Sequence, residues 1–385
     1  MLACGLWVAG GGIWAGASGA APIANEWFWA ATGSMIEGRY SHTATLLLDG
    51  RVLVVGGASN AGITASAEVY DPATGEWSPV GAMAAPRIDH TATRLADGRV
   101  LVVGGRGSAA NPDTWRPLAS AELFDPSTGA WSPAGDMHSR RAEHAATLLP
   151  DGDVLVMGGT TGDDEVWATV ERYDPETDTW TWIGAMNKAR ARHTATTLDN
   201  GRVLVAGGYV PGNVAELFDP ATDGWRYTGG RATGLPGWST ATRLTDGRVL
   251  ITDENAAALY DPVRESWTGG YSGLQRAHHA AALMGDGRVL ISGGYDNTAN
   301  YPYELGYLDS AVAFDPATGQ WANAGTMSAY RTAHTATTLL DGSVLVAGGE
   351  AFGPIDSAEL YEPFHPTHTV FVPFGIYRPD WPVDP

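Results

Sequence analysis

The chain is 385 residues long and carries a net charge of −20, from 23 Lys/Arg against 43 Asp/Glu, with no run of cations anywhere. That balance excludes an electrostatic partnership with nucleic acid or an anionic membrane surface, both of which need a basic patch. The single cysteine, Cys4, excludes an internal disulfide and any zinc–cysteine cluster.

Residues 1–25 form an uncharged leader rich in Ala, Gly, Leu, Val and Trp. It suits the apolar part of an export signal, with Ala17-Ser18-Gly19-Ala20-Ala21 as a small-residue cleavage region, although the cationic start of such a signal is absent. Met1-Leu2-Ala3-Cys4-Gly5 resembles the end of a bacterial lipoprotein signal, which makes Cys4 a lipidated membrane tether. The competing reading is a flexible Gly/Ala leader. Export to an extracellular, periplasmic or outer-surface location is the resulting expectation.

Next, Glu26-Trp27-Phe28-Trp29-Ala30-Ala31-Thr32-Gly33-Ser34-Met35 reads as a lone strand with no partner in its own neighbourhood. From His42 onward the chain then repeats one pattern with a period of about 50 residues, the mark of an array of small sheets. The first copy runs His42-Thr43-Ala44-Thr45-Leu46-Leu47, then Asp49-Gly50, Arg51-Val52-Leu53-Val54-Val55-Gly56-Gly57, Glu68-Val69-Tyr70-Asp71-Pro72 and Glu76-Trp77. Each copy predicts four strands, a to d. Strand a alternates small polar and apolar residues, as an inner strand beside a narrow channel does. Asp-Gly predicts a tight hairpin with positive φ at both central residues. Strand b is a continuous apolar run and so is covered on both faces. Asp-Pro ends strand c, and strand d carries Trp77, Trp131, Trp180, Trp225, Trp267 or Trp321. The last copy, through Tyr361-Glu362-Pro363, lacks its Trp strand, and residues 26–35 match it. The N-terminal strand therefore closes the ring and leaves no sheet edge open.

Gly-Gly, then Tyr-Asp-Pro, then Trp at this period resembles the kelch repeat, over roughly residues 26–363. The resemblance implies an all-β, seven-bladed kelch β-propeller of four antiparallel strands per blade, closed by the N-terminal strand, with residues 364–385 as a Pro- and aromatic-rich tail. The family includes binding domains, copper oxidases and a few isomerases or lyases, so it does not fix the chemistry. The exported galactose oxidase-type enzymes also contain such repeats. Their cofactor needs a Cys cross-linked to Tyr beside copper, and residues 26–363 contain no Cys. No copper site and no other cofactor is predicted.

Antiparallel order puts the a–b and c–d turns on one face of the ring and the d–a and b–c connections on the other, where the sequence varies. Each d–a connection ends in Arg-x-x-His, at Arg39/His42, Arg87/His90, Arg141/His144, Arg190/His193, Arg276/His279 and Arg331/His334. Six cations round one axis suggest an anion site, but a device repeated in nearly every blade is structural first. Strand c offers Glu68, Glu122, Glu171, Glu216 and Glu359 as partners within each blade.

Blades five and six break the rule. In blade five Ala258 replaces the Glu, Leu235-Pro236-Gly237-Trp238-Ser239 replaces Arg-x-x-His, and Asp253-Glu254 replaces Gly-Gly. In blade six Arg276 faces Val312. A notch here, beside Tyr295, Tyr301, Tyr303 and Tyr307, makes Trp238, Asp253, Glu254, Arg276, His278, His279 and those tyrosines the candidate ligand-binding residues. The competing reading has Asp253 or Glu254 simply pairing Arg276. Weaker candidates are the loop with Trp115 and Arg116 and the loop Asp163-Asp164-Glu165-Val166-Trp167, whose acidic triplet is too small a donor set for calcium. The function read from these features is a monomeric module that binds a glycan or protein through its variable face. The alternatives are a carbohydrate lyase or isomerase using His278 or His279 with Tyr295, and a structural adhesion module.

Overall fold

The computed structural model describes residues 27–107, 116–161, 165–208, 214–229, 238–271, 274–296 and 306–363. The leader, the Cys4 tether, the tail 364–385, Trp115, Asp163, Asp164, Tyr301 and Tyr303 lie outside them.

The described residues form seven four-stranded antiparallel sheets and one short hairpin, Ala58–Ser59 with Gly62–Ile63. In blade one the order is Thr43–Leu46, Val52–Val55, Ala67–Asp71, Glu76–Val80. Each first strand packs against the first strand of the next blade, and Thr335–Thr338 of blade seven packs back on Thr43–Leu46. This is a closed seven-bladed β-propeller. Strand b is buried throughout, as its unbroken apolar run requires. The core lies between blades: Leu53, Val55 and Val69 of blade one pack with Val100, Val102 and Phe124 of blade two.

Ring closure follows the sequence. Trp27–Ala31 is the outermost strand of blade seven, beside Ala358–Pro363. Trp29 lies 4.9 Å from Tyr361, ring to ring, repeating Tyr70–Trp77 at 5.1 Å and Tyr260–Trp267 at 4.9 Å. Its indole N–H donates to Ala324 O of blade six at 2.9 Å, as Trp131 donates to Gly81 O of the preceding blade at 2.6 Å. Trp77, Trp180 and Trp267 donate to Gly33 O, Gly135 O and Thr228 Oγ1 in the same way, so these tryptophans pin their blades to the ones before them. Trp29→Ala is expected to cost about 3 kcal/mol in urea denaturation, because the ring loses both the contact and the latch. A loss below about 1 kcal/mol would mean the strand does not close the fold.

The a–b turns differ from the hairpin expected. Only the glycine is left-handed: Gly50 has φ 89°, while Asp49 does not take positive φ. Leu47 N–H donates to Arg51 O, Gly50 N–H donates to Leu47 O, and the Asp49 carboxylate accepts Arg51 N–H at 3.1 Å. The aspartate is selected as a side-chain acceptor rather than for a left-handed backbone.

Candidate binding site at the ring axis

The repeated Arg-x-x-His builds the site's frame. Arg39, Arg87, Arg141, Arg190 and Arg331 are completely buried. Each guanidinium reaches its own-blade strand-c glutamate: Arg39–Glu68 at 2.8 Å, Arg87–Glu122 at 2.7 Å, Arg141–Glu171 at 2.5 Å, Arg190–Glu216 at 2.7 Å and Arg331–Glu359 at 2.8 Å. The other guanidinium nitrogen of Arg39 donates to Gly56 O and Ser66 O, both at 3.0 Å. Gly-Gly is required by the same geometry. Gly56 and Gly57 have φ 64° and 92°, and a Cβ on Gly56 would stand 2.6 Å from Arg87 O.

Frame and histidines together hold the residue between them in a left-handed conformation. Ser41, Asp89, Glu143, Arg192, Trp238, His278 and Ala333, one per blade, have φ between 50° and 72°. Such backbone is uncommon for non-glycine residues and persists where surrounding bonds over-determine it. Here Glu143 N–H donates to Asp89 O, Arg192 N–H to Glu143 O, Ala333 N–H to His278 O and Ser41 N–H to Ala333 O, from blade to blade. All seven residues line one cavity of about 290 Å³, together with the six motif histidines, Thr43, Ser239 and Thr240.

Below them lie six buried histidines. His90 Nε2 meets Thr43 Oγ1 of the preceding blade at 3.0 Å and His144 Nε2 meets Thr91 Oγ1 at 2.9 Å. His279 is held at both ends, by Arg276 O at 2.8 Å and Thr252 Oγ1 at 2.8 Å. Burial, reinforced by the nearby arginine, pushes His42 and His90 down to about 3. Burial likewise pushes His279 down to about 4. These imidazoles are neutral at physiological pH.

The mouth itself is two-sided. On one side Arg192 and Arg106 both donate to Glu143 Oε1, at 2.6 and 3.0 Å, and Arg106 lies 3.8 Å from Asp89. Burial and then the Glu143 charge raise the Asp89 carboxyl, against the pull of Arg106 and Arg192. On the other side Trp238 and His278 lie 3.7 Å apart, ring to ring, and the Arg192 guanidinium sits 3.9 Å over the Trp238 ring. Burial, then Arg192, lowers His278 to about 4.

The residues singled out from the sequence separate into two places. Trp238, His278 and His279 line the axial cavity. Arg276 is buried and bonds Gly293 O and Ser310 O as its sister arginines bond their carbonyls. Among the described residues it meets no carboxylate at ion-pair distance. Asp253 is fully buried in a tight turn that replaces the b–c loop of blade five, where its carboxylate accepts Asn255 N–H and Ala256 N–H. Burial lifts it to about 6 against those two donors. Arg276 N–H donates to the Glu254 carbonyl at 2.9 Å, and the Asp253 carboxylate is turned to its own turn's backbone. Tyr295 and Tyr307 pack edge to face at 5.6 Å, and Tyr307 meets Phe352 at 5.9 Å. Asp89, Arg106, Glu143 and Arg192 were not singled out. For Asp89, Glu143 and Arg192 the signal was the changing residue just before the motif histidine, while Arg106 follows the Gly104-Gly105 pair. Among the described residues no group of three or more His, Cys, Asp or Glu is arranged to hold a metal.

Comparison with known proteins agrees with this geometry. The family model described as the KLHDC2/KLHL20/DRC7 Kelch-repeats domain matches residues 23–208, and the Kelch motif model matches residues 276–328. Kelch-like protein 21 of rat is 31% identical over 117 residues, and that of human 32% over 118 residues. Each match covers 29% of this chain and 18% of the relative, so the chain spans less than a fifth of those proteins' length. A solved fungal alcohol oxidase of the AA5 family, in complex with copper, superposes with a TM-score of 0.68 at 19% identity. That match covers 88% of this chain and 76% of that one, and at this identity it speaks to fold alone. Seven four-stranded blades, buried Arg–Glu frames and these motif matches identify the chain as a kelch-repeat β-propeller.

Proposed function

We propose that this propeller is a non-catalytic binding module whose loop face takes one projecting group of a larger ligand, a polypeptide side chain or a glycan unit, into the axial mouth. The observation that carries the reading is the ring of seven left-handed positions. The scaffold is constant there, yet the residues are Ser41, Asp89, Glu143, Arg192, Trp238, His278 and Ala333. A rigid frame presenting seven different side chains suits recognition. The cavity of about 290 Å³ holds one such group, Trp238 offers a stacking face, and Glu143 and Arg192 offer oriented charges.

Lyase or isomerase chemistry is less well supported. Both nitrogens of His279 are engaged, and His278, lowered to about 4, is a weak base.

The test is a glycan and peptide array probed with the full chain, followed by titration of the best ligand. Trp238→Ala and Arg192→Ala are each expected to weaken binding at least about tenfold, as central anchors do, with the melting temperature within about 2 °C. Undiminished affinity in both variants would falsify the axial site.

A further inference from the structure

Almost every arginine among the described residues is already engaged. The motif arginines meet glutamates, and turn arginines such as Arg51, Arg99, Arg248 and Arg288 meet aspartates. Arg94 and Arg276 donate to backbone carbonyls. Arg116 and Arg140 are different. Both are exposed, and among the described residues neither meets a carboxylate. They line one cavity of about 530 Å³ between blades two and three, with His138, Ser139, Thr161 and Trp167. In a chain with 43 acidic residues against 23 basic ones, two guanidinium groups in one pocket with no carboxylate partner among the described residues mark a place suited to an anion from outside.

His138 narrows the choice of anion. Its Nδ1 lies 3.1 Å from Glu171 Oε2, and that carboxylate also accepts the His138 backbone N–H at 2.7 Å. A carboxylate can only accept, so Nδ1 is the donor, and the neutral imidazole with that tautomer presents Nε2 as a lone-pair acceptor. Trp182 supports the imidazole from the side, at 6.0 Å between rings. The pocket thus offers two guanidinium donors, one acceptor suited to a hydroxyl, and the half-buried indole of Trp167 as a flat wall.

We infer that this groove binds an acidic sugar, a uronate unit. Its carboxylate lies between Arg116 and Arg140, a ring hydroxyl donates to His138 Nε2, and the ring's C–H face packs on Trp167. A peptide carboxylate satisfies the arginines but supplies neither the hydroxyl nor the flat ring. The net charge of −20 repels densely charged polyanions at long range, so the ligand presents its carboxylates one at a time. The site is separate from the axial mouth and stands or falls without it.

Calorimetric titration of the full chain with trigalacturonic acid, its methyl ester and an acetylated tri-aspartate tests the assignment. The acid is expected to bind at least about tenfold more tightly than the ester, and 0.5 M NaCl to weaken it further. Arg116→Gln, Arg140→Gln and Trp167→Ala are each expected to lower its affinity at least about fivefold, while Trp238→Ala leaves it unchanged. Thermal melts confirm that the variants fold. Equal affinity for acid and ester, no binding of either, or indifference to both arginine changes overturns the proposal. Tighter binding of the tri-aspartate through the same arginines also overturns it, in favour of an acidic peptide.

Discussion

Arg87→Ala is expected to destabilise the propeller by about 4 kcal/mol in urea denaturation. Arg87 is completely buried and Glu122 is 5% exposed. Removing the guanidinium leaves that carboxylate inside the protein with only the Ala84 and Ala85 backbone donors, at 2.7 and 3.2 Å. It also strips the donor from Gly104 O and Ser120 O. Arg276→Ala deletes the same two carbonyl contacts but strands no strand-c carboxylate, since Val312 stands in that place. Its cost is expected to be smaller, about 2 kcal/mol. The double variant Arg87→Ala/Glu122→Ala should lose less than the sum of the single losses by about 1 kcal/mol or more. Blade five shows that the two partners can be absent together, with Ala258 at the glutamate position and Pro236 in place of the arginine three residues before Ser239. Strict additivity in the double variant would mean that the arginine acts on the carbonyls alone.

The fold was legible because its constraints are written seven times. Trp29 could be assigned to blade seven without any contact map, since one Trp strand was missing at the end and one was spare at the start. The Arg–Glu frames were legible for a related reason: Ala258 and the lost arginine of blade five vary together, which is what a shared buried charge demands. The site was harder. Departure from the repeat pointed to Asp253 and Arg276, yet Asp253 departs because a short turn replaces Gly-Gly and its loop, and Arg276 keeps the repeat's carbonyl contacts without the glutamate. Which residue faces the axis depends on a left-handed φ at non-glycine positions such as Asp89 and Arg192. Nothing in local composition announces that conformation. It follows only once the arginine before and the histidine after are both fixed in the ring.

Those histidines make the propeller acid-labile in a defined window. Burial holds His42 and His90 at about 3 and His279 at about 4, and pushes His144, His193 and His334 well below the ordinary value of 6.5. In the unfolded chain these groups take up protons as pH falls through 6.5, while the folded protein stays unprotonated until much lower pH. Between those limits the unfolded state binds more protons, so stability falls with falling pH, by about 1.4 kcal/mol per pH unit for each such group. Three carboxyls raised by burial, Asp89, Asp253 and Glu350, act in the opposite sense. Asp253, at about 6, binds its proton more readily in the folded state and offsets part of one histidine's loss. His278, lowered to about 4, adds to the histidine side, and seven imidazoles against three carboxyls leave a net acid destabilisation from about pH 6.5 down to about 4. Among the described residues neither ring nitrogen of His193 has a hydrogen-bond partner, since Ala145 stands where blades one, two, five and seven offer a threonine to the next histidine. Urea midpoints measured at half-unit steps from pH 8 to 4 should be flat above 7 and fall steeply below 6. The slope near pH 5 is expected to report more than two protons taken up on unfolding, and His193→Asn should reduce that number by about one. A slope of less than one proton would show that the six imidazoles are not held neutral by the ring.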